Sequence, residues 1–122
     1  MGRYTVHLVG ESKFQDSIGY LRVGQRVELL AEPTNQFDPT AVRCADLTGD
    51  TLGYLARDDW SYRAFNEGTM MFARVKEIMG GTRDKKSRGV VLEVFTAKDA
   101  VEAESAHQAR LDRRRGCLGF GA

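Results

Sequence analysis

The chain reads as a mainly β protein with small helices, a compact β-barrel followed by a C-terminal helical appendage. Three observations point there. Short runs rich in β-branched and aromatic residues alternate polar and apolar positions, with glycine, proline and aspartate between them. Helical spacing ahead of residue 97 is confined to two short stretches, and from residue 97 the composition shifts to alanine and charge. At 122 residues there is room for one modest core. The expected division is therefore 1–96 for the barrel and 97–122 for a helix and flexible tail.

Residues 4–9 alternate as a strand that Gly10 ends. Phe14, Ile18 and Leu21 share one face of a short helix, which Gly24 stops. Residues 26–32 form a second strand with Val27 and Leu29 facing inward. The only two prolines, Pro33 and Pro39, bound the turn that follows, and residues 41–45 resume as a strand. Thr48, Gly49 and Asp50 turn a hairpin into the return strand 51–55. Asp58 or Asp59 caps a second short helix that places Trp60 and Phe65 in the core and ends at Gly68. Residues 69–79 and 89–95 pair as a hairpin with a wide, mobile, basic tip. In the stretch 97–115, Asp99, Glu102 and Glu104 come early and the arginines late, which complements a helix dipole. Val101 and Leu111 are its only large apolar residues, so the helix is expected to dock loosely, with 116–122 disordered.

Apolar residues at 42% and charged residues at 29% describe a globular chain rather than a disordered one. The net charge of +1 conceals an asymmetry. Residues 1–82 carry nine Lys/Arg against eleven Asp/Glu, and residues 83–122 carry nine against six. The basic clusters at 83–88 and 110–115 suit phosphate contact, and equally suit a solvated loop and a helix end. No run approaches the ~20 apolar residues of a membrane span, and the N-terminus lacks a signal-peptide core. A cytoplasmic protein without a membrane partner is the expectation.

Chemistry-bearing constellations are sparse. Cys44 reads as a core residue and Cys117 as an exposed thiol; neither has a CxxC partner. His7 and His107 stand without neighbours in catalytic or ligand spacing, and the common nucleotide-binding and hydrolase motifs are missing, so neither a cofactor nor a metal is expected. Glu11, Glu32 and Asp38 are the carboxylates that a metal-dependent nuclease would use, although their spacing does not demand it.

The turn between the prolines is richer. Glu32, Asn35 and Asp38 offer hydrogen-bonding heads, and the ring of Phe37 adjoins the carboxylate of Asp38. A rigid loop of that kind suits a ligand with a flat face and a hydroxyl, such as a nucleotide end. Phe37 reads equally as an exposed platform or a plug beneath the turn, while Asp38 also suits a turn cap. Tyr54 falls on either face of its strand, and Arg57, just past that strand, is placed to overhang the same pocket.

Taken in order, Leu8, Val9 and Gly10, then Leu29, Glu32, Pro33, Asn35, Phe37, Asp38, Ala41 and Val42, then Gly53, Tyr54 and Leu55, resemble the HIRAN domain. The resemblance spans residues 4–96 and omits the terminal helix. It implies an OB-like or SH3-like barrel, non-catalytic, whose helicase-borne versions hold the free 3′ end of single-stranded DNA. Carried across by position, it implies that Phe37 stacks on a base and Asp38 meets the terminal hydroxyl. Asn35 shapes the turn, Tyr54 lines the pocket and Arg57 contacts phosphate. Where the helicase versions carry an Arg-Tyr pair after the first glycine, this chain has Glu11, Ser12, Lys13 and Phe14, with Lys13 and Phe14 as shifted substitutes. The implied partner is single-stranded DNA or a DNA end. A protein-interaction domain, docking a partner through the C-terminal helix, is the alternative, and a metal-dependent nuclease a third reading.

Overall fold

The computed structural model describes residues 3–81, 83 and 87–117, with side chains described to residue 113. Among these residues, six strands make the body: β1 (Arg3–Val9), β2 (Arg26–Ala31), β3 (Val42–Ala45), β4 (Thr51–Leu55), β5 (Met71–Gly80) and β6 (Arg88–Thr96). Every pairing is antiparallel, and the order β1-β4-β3-β2-β5-β6 closes on itself, so the protein is a mainly β barrel. Closure rests on two strands that change partner along their length. Residues 3–7 of β1 pair with β6, then Leu8 and Val9 pair with β4. In the same way Arg26 and Val27 of β2 pair with β5, and residues 28–31 with β3.

Period-two alternation fills the interior. Val6, Leu8, Val27, Val42, Cys44, Leu52, Val75, Leu92 and Val94 point inward and are almost fully buried. Burying an aliphatic side chain of this size contributes about 1.5–3 kcal/mol, so the barrel interior dominates stability. Cys44 is a core residue as expected; burial pushes its thiol up to about 12, where it stays protonated and inert. Leu29 is half-buried against the same core.

Among the described residues, three helices sit around the barrel: α1 (Gln15–Ile18), α2 (Trp60–Asn66) and α3 (Ala97–Cys117). The first is shorter than its apolar spacing suggested, a 3₁₀ turn at Glu11–Lys13 running into a single helical turn. Ile18 and Leu21 still reach the core because the chain after Ile18 continues in turns. Asp59 caps α2, its carboxylate accepting from the Ser61 N–H at 2.9 Å.

Two expectations change at α2 and α3. Trp60 is not a core residue: it lies on the surface, its ring 4.3 Å from that of Tyr4 on β1, because the first turn of α2 overhangs the barrel wall. Phe65 takes the inward position. The terminal helix docks more firmly than its two large apolar residues suggested. Ala100 is buried, the His107 ring lies 5.7 Å from that of Phe72 on the outer face of β5, and Arg26 pairs with Glu104 at 3.0 Å. Phe72 supplies the apolar surface that the helix itself lacks. The helix continues through Gly116 and Cys117, part of the stretch expected to be disordered; residues 118–122 lie outside the described residues, as do 82 and 84–86 of the basic tip. Among the described residues no helix is long and apolar enough to cross a membrane.

Candidate nucleic-acid interface

The turn between β2 and β3 is built by side chains bonding their own backbone. Asn35 Oδ1 accepts from the N–H groups of Phe37 and Asp38, at 2.8 and 3.0 Å, while its amide donates to Glu32 at 2.8 Å. That double acceptance is an Asx turn. It forces the chain out at residues 36–37 and leaves Phe37 96% exposed. The ring is therefore a platform and not a plug. Glu32 anchors the base of the turn: the Tyr54 hydroxyl donates to both its oxygens at 3.0–3.1 Å, and Arg43 pairs with it at 3.5 Å. Burial, followed by the hydrogen bond to Glu32, raises the Tyr54 pKa, so the phenol stays a donor.

Two glycines of the sequence motif let the neighbouring segments approach. Gly10 sits at φ 73, a left-handed turn that leads into the 3₁₀ helix carrying Lys13. A Cβ on Gly53 would lie 2.9 Å from the Val9 carbonyl and 3.2 Å from Glu11, so only glycine lets β4 pack against that corner. Glu11 is turned inward, where its carboxylate accepts from the backbone N–H of Val90 on β6. Its charge is thus held against the barrel.

Lys13, Phe14, Asn35, Phe37 and Tyr54 line one groove of about 540 Å³, with the Phe14 and Tyr54 rings 6.3 Å apart along its wall. Asp38 and Arg57 stand across the turn. Arg57 lines a second groove of about 610 Å³ beside α2, and its guanidinium lies 3.5 Å from Asp38. The seven residues singled out in the sequence thus form one groove of five and an ion pair on the adjoining ridge.

Asp38 is the most constrained of them. Thr40 donates to its Oδ1 from the backbone at 2.9 Å and from the hydroxyl at 2.6 Å, and the Tyr62 hydroxyl donates to Oδ2 at 3.0 Å. These bonds, the Thr40 hydroxyl foremost, hold its carboxyl below the ordinary carboxylate value, so it is ionised at neutral pH. Tyr62 also contacts the Thr40 hydroxyl, and Asn66 donates to the Thr40 carbonyl at 3.1 Å. Sequence reasoning missed Thr40, Tyr62 and Asn66. Nothing in the local pattern marked them, because α2 meets the turn only through the fold.

The three carboxylates of the nuclease reading are dispersed among separate partners: Val90 for Glu11, Tyr54 and Asn35 for Glu32, Thr40 and Tyr62 for Asp38. Among the described residues no group of three or more His, Cys, Asp or Glu is placed to hold a metal ion.

A family model, the HIRAN domain, matches residues 1–94. Among solved structures, a protein from Lactobacillus plantarum is 25% identical over 77% of this chain and 99% of its own, with a TM-score of 0.53. The HIRAN domain of human HLTF aligns over 89% of this chain and 88% of its own, at 17% identity and a TM-score of 0.54, a likeness of fold. No curated protein matches the chain.

Proposed function

The chain belongs to the HIRAN family of DNA-binding modules, and from that premise we propose that it recognises single-stranded DNA by a free 3′ end, without catalysis. The observation that carries the reading is the ring of Phe37, 96% exposed on a turn braced by Asn35 and opening on a groove. An aromatic held in water by its own backbone has no packing role; a stacked base gives it one. Base stacking of this kind is worth about 1–3 kcal/mol and tolerates any base.

Asp38 supplies end selectivity in this reading. Its Oδ1 is saturated by Thr40, but Oδ2 receives one hydrogen bond from Tyr62 and a longer ion pair from Arg57. A carboxylate oxygen accepts two bonds, which leaves Oδ2 able to take a terminal hydroxyl. An internal or terminal phosphate at that place meets like charge. Arg57, mostly exposed, swings to the last phosphodiester, while Lys13 serves the next one and Phe14 and Tyr54 form the groove wall. Asn35 holds the turn in shape.

Fluorescence anisotropy with matched oligonucleotides ending in a 3′-hydroxyl or a 3′-phosphate tests this. The hydroxyl end is expected to bind roughly tenfold tighter, about 1.4 kcal/mol. Equal affinity for the two ends, or no binding at low salt, overturns end recognition.

A further inference from the structure

A second cationic surface lies away from the turn. Between α3 and the barrel is a cleft of about 680 Å³ whose lining includes Arg22, Arg26, Arg74, His107 and Arg110. Arg26 is paired with Glu104 and Arg74 with Glu93, the latter at 3.2 Å. Arg22 and Arg110 have no ion-pair partner among the described residues, and both are exposed. The charged groups around His107 are Arg110 and Glu104 on its own helix, Arg26 on β2, Arg74 on β5 and Glu93 on β6. Burial first, and then Arg110, Arg26 and Arg74, lower the His107 pKa. The two carboxylates leave the cleft with an uncompensated positive field.

We propose that this cleft is a second phosphate-binding site, which grips the backbone of the same DNA strand several nucleotides from the end held at the turn. The proposal rests on the DNA-binding reading above and extends it. Guanidinium groups converging from three elements present planar donor forks that match phosphate oxygens. Strand β2 joins the two sites: Arg26, its first residue, lines the cleft, and Glu32, just past its last, lines the turn groove. At ~3.3 Å per residue, the separation along β2 is roughly 20 Å.

A groove that adjoins the cleft at Arg26 covers part of the distance along β2. Beyond Val27, β2 leaves β5, and the seam holds a shallow groove of about 250 Å³ lined by Arg26, Leu29, Leu30, Phe65, Met71 and Phe72 among others, with Glu28 its one carboxylate. An OB-type barrel engages about 4–16 nucleotides, enough strand to reach from turn to cleft.

The test uses the full chain carrying Arg22→Glu and Arg110→Glu, two exposed substitutions, with thermal melting to verify an intact fold. Anisotropy is measured with a trinucleotide and a 15-mer, both ending in a 3′-hydroxyl, across a salt series. The 15-mer is expected to bind about tenfold more weakly to the variant. Its slope of log K against log salt should shrink by ~1.4, the value for two phosphates of a single strand, with the trinucleotide unaffected. An unchanged 15-mer affinity and slope, or an equal loss for the trinucleotide, overturns the proposal.

In the unmodified protein, NMR titration of His107 provides a second readout. The 15-mer is expected to raise its pKa, because bound phosphate offsets the arginine field. An equal rise with inorganic phosphate would assign the cleft to free phosphate, and an equal rise with poly-glutamate to an acidic peptide; either result overturns the strand path. Failure of the end-recognition reading is separable, since it shows as equal binding of 3′-hydroxyl and 3′-phosphate 15-mers while the salt-slope difference persists.

Discussion

The proline-bounded turn and the α3 face treat charge in opposite ways. At the turn, each carboxylate is held by several named partners: Glu32 by Tyr54, Asn35 and Arg43, Asp38 by Thr40, Tyr62 and Arg57. Under α3, guanidiniums outnumber their partners, and two of them project into solvent. The turn is preorganised, and it holds an apolar group, the ring of Phe37, out in solvent. Geometry of that kind discriminates among ligands, because a hydroxyl and a phosphate meet the same fixed carboxylate with opposite sign. A loose field of arginines attracts any polyanion and loses strength with salt. On the proposed readings, shape selectivity and charge attraction occupy separate parts of one small barrel.

Phe37→Ala breaks the comparison most directly. Loss of stacking is expected to weaken single-stranded DNA binding by about 1–3 kcal/mol, read by anisotropy, with the melting temperature unmoved because the ring packs against nothing. A large drop in melting temperature would mean that the ring is structural after all. Tyr62→Phe comes next. It removes one donor from Asp38 and leaves the packing of the ring, so the hydroxyl-end preference should fall roughly threefold, in line with the loss of one hydrogen bond. An unchanged preference would show that Thr40 alone fixes the carboxylate.

The smallest expected effect belongs to the α3 face and depends on pH. His107 has its pKa lowered in the folded state, chiefly by burial, so the folded protein binds fewer protons there than the unfolded chain. Its contribution to helix docking is complete above the ordinary histidine value near 6.5 and declines as pH falls through that value toward the depressed one. Hydrogen exchange of the α3 amides, corrected for intrinsic rates, should accelerate roughly threefold between about pH 7.5 and about pH 5.5. His107→Gln should flatten that dependence, and a dependence surviving the substitution would move the cause to another group.

Much of this architecture is legible in the sequence. Alternation placed all six strands to within a few residues, since one buried face per strand writes itself into every second position. The prolines, Asn35 and Asp38 marked the turn, and the ordered motifs from Leu8 to Leu55 pointed to the HIRAN family that the matched residues 1–94 establish. Trp60 was misread because hydrophobicity reports a preference for burial and not which side of a short helix meets the barrel. Glu11 stood in the sequence as a carboxylate of the nuclease reading, yet it serves a backbone N–H of β6 that is remote in sequence. The terminal helix looked weakly amphipathic because its apolar complement, Phe72, belongs to another element.

The sequence by itself therefore determined the strands, the turn that carries Phe37 and the identity of the family, all properties encoded in local spacing and backbone preference. Only the tertiary structure decided that Tyr62 and Thr40 lock Asp38, that Lys13 and Phe14 share a groove with Phe37, and that arginines from three elements converge beneath α3. Those arrangements depend on barrel closure, which brings together residues that no local pattern relates. Periodicity records which face of a strand is buried; which side chains become neighbours is set by the pairing of whole strands.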